Sequence, residues 1–431
     1  MIFSLDVRRA RKGDCLLLHF GTKQKPGLIL IDGGPKSVYV PHLRPRIVQI
    51  RKARKLEAHE PLPVDLLMVS HVDDDHIRGI LDLTAELTAS QGGTPPLLRV
   101  LSFWHNSFDD VIGKDPKELT ASMTSQFGAA SVGGELPADA ALQSAEDDEL
   151  VRDNLQVLAS IEQGHRLRGD AAKLDFELNP EFDGKLVLQS TKALSIATGL
   201  KFTVVGPMKP ELQALQKKHD EWLEKQEENA DDPEAALAAY IDPSVPNLSS
   251  IVVLAEAGGK RMFLTGDARG DKILAGLKAG KLIKGGTPLH VDLLKVPHHG
   301  SANNVAPEFF ESITADHYVF SGNGEHGNPE RETLKMLFDA RGKKPFQIHL
   351  TYPIAEIDKA RKKDWEEQQA REKKRKANGT GKKEPRPNWS PAKHSLKSFF
   401  AGLTLAKGQK IHEIKDDTAP HVIDLLDALG H

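Results

Sequence analysis

The stretch Met68–Ile80, MVSHVDDDHIRGI, constrains this chain more than any other. It follows the apolar run Val64–Val69, which reads as a buried strand. Charged residues this dense cannot continue a buried strand, so the strand must end and the chain must turn. His71, Asp73, Asp75 and His76 can then converge on one point beyond the strand's C-terminal end. Carboxylates held that close repel one another unless a cation lies among them. An Asp-rich helix N-terminus is the competing explanation, because carboxylates there meet free amides and the helix dipole. It accounts for Asp73 or Asp74 and leaves the two histidines unexplained.

The spacing His71-x-Asp73-x-Asp75-His76 resembles the H-x-[HED]-x-D-H signature of the metallo-β-lactamase superfamily. With Asp in the middle position, it is most similar to the soluble hydrolase domain of the competence protein ComEC and its stand-alone relatives. Further motifs follow at other strand ends. Leu28–Ile31 closes in Asp32-Gly33-Gly34, where glycine permits a tight turn. The resemblance implies that Asp32 supports the metal ligands from behind. Strand Leu98–Trp104 ends at His105, a candidate ligand or substrate contact. In Pro246–Ala268 two strands flank Gly258-Gly259 and deliver Asp267, which the resemblance implies bridges two metals. Leu293–Asn304, LLKVPHHGSANN, ends a strand in His298-His299. The family pattern points to His299 as ligand and His298 as neighbour or substrate contact, and the sequence leaves the choice open. Lys295, on the same strand, reads as structural or as reaching a phosphate.

Two departures from the family pattern carry chemical content. Asp73 and Asn247 stand where many members carry histidine, so one metal position becomes oxygen-rich, which favours Mn²⁺ or Mg²⁺ over Zn²⁺. The expected cofactor is a pair of divalent ions, Zn²⁺ or Mn²⁺, on His71, Asp73, Asp75, His76, Asp267 and His299. The glycine-rich loop Ser321–Pro329 suits an anion. Asn247, Ser301, Asn323, Asn328 and His105 are expected to contact substrate. Asp75 or Asp267 is expected to orient the attacking water, and His298 or His326 to protonate the leaving oxygen.

Composition bounds the class. The net charge of −3 announces no global basic field. A single cysteine, Cys15, excludes a disulfide framework and a cysteine-based zinc cluster. No run approaches the ~18 apolar residues of a membrane span, and MIFSLDVRRARKGD lacks a signal core. A cytoplasmic protein with no membrane contact is expected. The expected fold class is α/β, and the resemblance implies an αββα metallo-β-lactamase sandwich over residues 1–358 with helical insertions at 107–185 and 208–245. A basic, Pro-rich linker (359–391) and a tail (392–431), with a terminal helix around His421–Leu429, complete the chain. The basic cluster Lys359–Lys383, with Trp365 and Trp389, reads as a solvated helix or linker, or else as an arm for a phosphate backbone. The expected function is a metal-dependent hydrolase, a phosphodiesterase or nuclease, whose nucleic-acid substrate is implied by the resemblance alone. Hydrolysis of another ester (lactone, thioester or phosphocholine ester) and a non-catalytic metal-binding regulatory module are the alternatives. An iron oxidoreductase would want more His and Glu than Asp73 and Asn247 supply.

Overall fold

In the computed structural model, residues 1–91, 95–106, 163–210, 212–213, 249–379, 384–416 and 419–431 are described. Two sheets form the body. In the first, β1 (Ile2–Val7), β2 (Leu16–Gly21) and β3 (Pro26–Ile31) make an antiparallel meander. Parallel β5 (Leu66–Met68) and β7 (Phe103–Trp104) extend it on one side, and β16 (His421–Asp424) pairs antiparallel with β1 on the other. The second sheet runs in the order β15-β14-β13-β12-β11-β10-β9-β8. Its antiparallel half is β8 (Leu194–Ala197), β9 (Leu200–Gly206), β10 (Val252–Ala257) and β11 (Lys260–Leu264). Parallel to β11 follow β12 (Leu289–Lys295), β13 (Ile313–Phe320), β14 (Phe346–Leu350) and β15 (Gln409–Glu413). A small parallel pair, β4 (Leu62–Val64) with β6 (Leu98–Val100), flanks the first sheet.

Strand periodicity sorts the apolar residues into layers. Leu16, Leu18, Phe20, Ile29 and Ile31 face Phe202, Val204, Val253, Met262 and Leu264 in a core shared by the two sheets. Leu17, Leu28, Leu30 and Leu67 turn outward and are covered by α1 (Arg44–Ala53) and α2 (Asp74–Ser90) through Ile47, Ile50, Ile77 and Ile80. On the far side, Leu254, Phe263, Leu294 and Ile348 pack under α3 (Gly270–Ala279), α4 (Pro307–Ser312) and α5 (Arg331–Arg341). Helices therefore cover both outer faces of a two-sheet core.

Three stretches differ from expectation. Residues 421–429 form no helix. Instead β16 takes the free edge of the first sheet and β15 that of the second, so the segment expected as a tail completes both sheets. Its apolar content is too low to announce strands, and edge strands need to bury only one face. Residues 354–377 form one long helix, α6 (Ile354–Ala377), and the Pro-rich segment after it is no loose linker. It lies back along α6, where Trp365 Nε1 and Gln369 Nε2 donate to the carbonyls of Pro387 and Arg386. Trp365 is stacked on His394, with ring centroids 4.2 Å apart, and so is already engaged within the chain. Residues 186–189, after the first expected insertion, are irregular. Of the two expected helical insertions, 107–162, 211 and 214–245 lie outside the described residues, while 163–173 are helical.

Four histidines knit the C-terminal edge. His317 Nδ1 lies 3.0 Å from His349 Nε2, and His349 Nδ1 lies 3.0 Å from His421 Nε2. His412 stacks on His349 at 4.8 Å. The chain of contacts runs from β13 through β14 to β16 and so ties one sheet to the other. Among the described residues, no helix is long and apolar enough to cross a membrane.

Candidate metal centre

The strand directions bring the chemistry to one edge. β3, β5, β11, β12 and β13 all deliver their C-terminal ends there, and β2, antiparallel to β3, begins there. Ligands in layered α/β proteins collect at such carboxyl ends. Asp32 follows β3, His71 and Asp73 follow β5, Asp267 follows β11, His298 and His299 follow β12, Ser321 follows β13, and Asp14 precedes β2. His76 comes from the first turn of α2. That helix is brought against the turn after β3 by two glycines: a Cβ on Gly79 would lie 2.0 Å from the Gly33 carbonyl oxygen. The competing helix-start explanation is thus half right. Asp73 occupies the N-cap position of α2, but its side chain makes no capping bond. Its carboxylate lies 3.7 Å from His71 Nε2.

Asp75, His76, Asp267 and His299 offer ligand atoms that all lie within 4.8 Å of one another, and His71, Asp73 and Asp75 do the same. Asp267 is central to the first group. Its oxygens are 3.4 Å from His76 Nε2, 3.2 Å from His299 Nε2, 3.9 Å from His71 Nε2 and 3.8 Å from His298 Nε2. Asp75 reaches His76 at 3.9 Å and His299 at 3.7 Å.

The hydrogen-bond network behind these atoms sets the tautomers. Asp32 accepts from the Ser70 amide (2.7 Å), the Ser70 hydroxyl (2.6 Å) and His76 Nδ1 (2.9 Å). With its proton given to Asp32, Ser70 Oγ can accept from His71 Nδ1 at 3.1 Å. The second sheet repeats the device. The Ser321 hydroxyl donates to Asp14, and His299 Nδ1 lies 3.1 Å from Ser321 Oγ. All three rings therefore turn Nδ1–H away and present Nε2 as a lone pair to the same place. Those three Nε2 atoms and Asp267 Oδ1 are buried, and none has a hydrogen-bond partner. Buried polar atoms are rarely left so, because each forfeits its hydration. They fall into two neighbouring groups, His76, Asp267 and His299 with Asp75, and His71 with Asp73 and Asp75; each fits a cation, and the mixed N/O donor set suits Zn²⁺ or Mn²⁺.

The electrostatics agree. Burial alone would depress His76, but Asp267 and Asp32 outweigh it and hold the ring well above its usual range. At His299 Asp267 and Asp14 likewise overcome burial and raise it to about 9. Burial and the charge of His76 push His71 down to about 3. Asp267, although buried, is held well below the usual carboxylate range by His299 and His76. Carboxylates that outnumber the neighbouring cations favour positive charge beside them, and a bound metal would supply it. A third acidic group, Asp14, Asp32 and His76, already has partners: Asp14 is ion-paired with the fully buried Lys295, and Asp32 with His76.

The remaining expected residues are placed as follows. His298 and His299 both adopt positive φ (46° and 55°) in the Pro297–Gly300 turn, a conformation that costs ~1–3 kcal/mol per residue and concentrates at functional sites. His299 points into the cluster, and His298, with 29% of its side chain exposed, stands at the rim. His326, also at positive φ, lies on the loop after β13, where Lys12 Nζ is 3.3 Å from its Nε2. Asn323 bonds Glu325 within that loop, and Asn328, buried, accepts through its carbonyl from the Gly324 amide. Ser301 and the Ala302 amide hold Glu330. His105 is fully buried against Phe103, its backbone bonded to Asn179, and is outside both ligand groups. Asn247 lies outside the described residues. Asp14, Ser70, Ser321 and a structural Lys295 complete the site. Asp14 sat in plain view in Lys12-Gly13-Asp14, but no local spacing links it to His299.

No family model matches the chain. Microtubule-associated protein 1A of Rattus norvegicus and that of Mus musculus are each 36% identical to it over 75 residues, 16% of this chain and 3% of theirs. ComE operon protein 3 of Bacillus subtilis is 31% identical over 98 residues, 22% of this chain and 12% of that protein. The chain thus spans only a small part of the length of the curated relatives it matches. A crystal structure from Parabacteroides distasonis, of a protein provisionally described as a metal-dependent hydrolase, aligns over 81% of this chain and 98% of its own. Its TM-score is 0.30 at 11% identity, too slight a likeness to carry an argument.

Proposed function

We propose that this protein is a metal-dependent hydrolase of the metallo-β-lactamase type, nearest to the ComEC-like branch, and that it cleaves phosphodiesters, with nucleic acid as the substrate class. The observation that carries the metal-dependent part is the set of three Nε2 atoms and one Asp267 oxygen, all buried, without hydrogen-bond partners, and gathered in two ligand groups that share Asp75. The phosphodiester part rests on the motif resemblance, with the short match to ComE operon protein 3 in support.

Asp75, His76, Asp267 and His299 would hold one cation, and His71 and Asp73, with Asp75 or Asp267, a second. Charge favours two. Asp14, Asp32, Asp73, Asp75 and Asp267 supply five negative charges and Lys295 one positive, and two divalent ions offset the remaining four. When bound, such ions lower the pKa of water towards about 7 and stabilise negative charge on a phosphoryl group. The protein's own residues do the rest. The Ser–Asp pairs hold the imidazoles in the ligating tautomer. His298, at the rim 3.8 Å from Asp267, is placed to give a proton to a leaving oxygen.

The test is hydrolysis of single- and double-stranded DNA, RNA and bis(p-nitrophenyl) phosphate with added Mn²⁺, Mg²⁺ or Zn²⁺. His76→Ala and Asp267→Ala serve as controls. Metal-dependent cleavage lost in both controls is expected. A metal-loaded protein that cleaves lactones or thioesters and no phosphodiester would overturn the substrate assignment.

A further inference from the structure

The loop Lys12-Gly13-Asp14 is built into the site from the side opposite the histidines. Gly13 lies so close to α2 that a Cβ there would come within 1.7 Å of the Asp75 carbonyl oxygen, so only glycine fits. Asp14, the next residue, is held by Lys295 and Ser321 beneath His299. Lys12, the residue before, is thereby fixed at the rim. Its ammonium lies 3.3 Å from His326 Nε2, at solvent-exposed atoms, across the gap between the loop before β2 and the loop after β13. The latter loop covers the cluster: a Cβ on Gly322 would sit 3.5 Å from His299 Cβ. Arg11, beside Lys12, spends its charge on Glu325 at 2.8 Å. Lys12 instead meets the His326 ring nitrogen, and among the described residues no carboxylate forms an ion pair with it.

We propose that Lys12 is the anion-binding residue of this site: its ammonium exchanges His326 for a non-bridging oxygen of a bound phosphate or phosphoester. This rests on the phosphodiesterase reading and names the group that selects an anionic substrate. An ammonium gains more from an anionic oxygen than from an imidazole nitrogen, because opposite charges add a Coulomb attraction that a neutral acceptor lacks. The position also serves His326. While Lys12 donates to Nε2 that nitrogen is an acceptor, and it can donate a proton only after Lys12 has moved to the anion. Lys12 is close enough to Asp75 that, with His76, it outweighs burial and lowers that carboxyl. An anion beside it therefore sits next to the metal ligands.

The experiment is calorimetric titration of inorganic phosphate into the Mn²⁺-loaded full chain, as wild type, Lys12→Met and Lys12→Arg. Thermal midpoints and bound-metal stoichiometry are checked for each. Lys12→Met is expected to weaken phosphate binding ~10-fold or more, and Lys12→Arg to stay within about threefold of wild type. With bis(p-nitrophenyl) phosphate the loss should fall mainly on KM, and increasing salt should erase the difference between wild type and Lys12→Met. Unchanged phosphate affinity in Lys12→Met, or no phosphate binding by the loaded wild type, overturns the assignment. Phosphodiester hydrolysis with an unchanged KM in Lys12→Met sinks the Lys12 role and spares the phosphodiesterase reading. Lys12-dependent phosphate binding without hydrolysis of any phosphodiester does the reverse.

Discussion

Two groups of histidines in this molecule obey opposite rules. Along the C-terminal edge, His317, His349 and His421 satisfy one another nitrogen to nitrogen, and His412 Nε2 meets Gln347 at 2.8 Å. At the strand ends, His71, His76 and His299 turn their Nδ1–H groups back to Ser and Asp, and their Nε2 atoms have no hydrogen-bond partner. The first group is closed and needs only neutral rings. The second is open, and its unpaired atoms converge on carboxylates. Imidazoles packed beside other imidazoles are common to both. What separates a candidate ligand set from a structural one is whether the outer nitrogen has been given an acceptor or donor of its own.

The contrast breaks most sharply at Asp267. Asp267→Ala removes the carboxylate oxygens nearest to Nε2 of His76 and of His299 and should abolish stoichiometric metal binding. It should also cut hydrolysis by about a thousandfold or more, the scale seen when one member of a concerted group is lost. Elemental analysis and kcat/KM test this, and full metal occupancy in the variant would dissolve the distinction between the two groups. Asp32→Asn keeps the shape and loses the charge behind His76. It should weaken metal binding about 10–100-fold by equilibrium dialysis, with the fold intact. Metal in excess should stabilise the protein by about 2.7 kcal/mol at a hundred times Kd, and a chelator should remove that gain. His349→Phe should leave the metal-dependent rise in thermal midpoint unchanged. Its disappearance would show that the edge histidines also hold a cation.

Acid should act on the closed group. Burial and the charge of His421 hold His349 down to about 2, and burial with His412 holds His421 down to about 4. Both lie below the ~6.5 of an unfolded histidine, so below pH 6.5 the unfolded chain binds more protons than the folded one. Stability from these rings is complete above pH 6.5 and declines as pH falls towards about 4. The slope is at most about 1.4 kcal/mol per pH unit per ring. Denaturation between pH 7.5 and 5 measures it, and His349→Phe should flatten the slope. An unaltered slope would put the acid sensitivity elsewhere.

Much of this was readable in advance. The layered α/β body, the strand runs ending in Asp32, His71, Asp267 and His299, and the gathering of His71, Asp73, Asp75 and His76 all follow from local spacing. The choice between His298 and His299 did not. It depended on a turn that bends both residues into positive φ and sends one ring inward and the other to the rim. His105 was read from its place at a strand end, yet it is packed on Phe103 and bonded through its backbone to Asn179, a partner no local pattern names. The C-terminal strands were missed because they are short and polar, and because their pairing with β1 and β14 is decided by which edges the earlier strands leave free.

By itself, the sequence determined where strands end and which residue types stand there. Alternation of apolar residues and the abrupt arrival of Asp, His and Gly act over a few positions and survive in one dimension. Tertiary structure alone decided which of those ends meet. Ser321 donates to Asp14 across 307 residues, and Lys295 reaches the same carboxylate from the other sheet. The electrostatics that hold the cluster together fall off over a few ångströms of space, a distance that the order of residues along the chain does not contain.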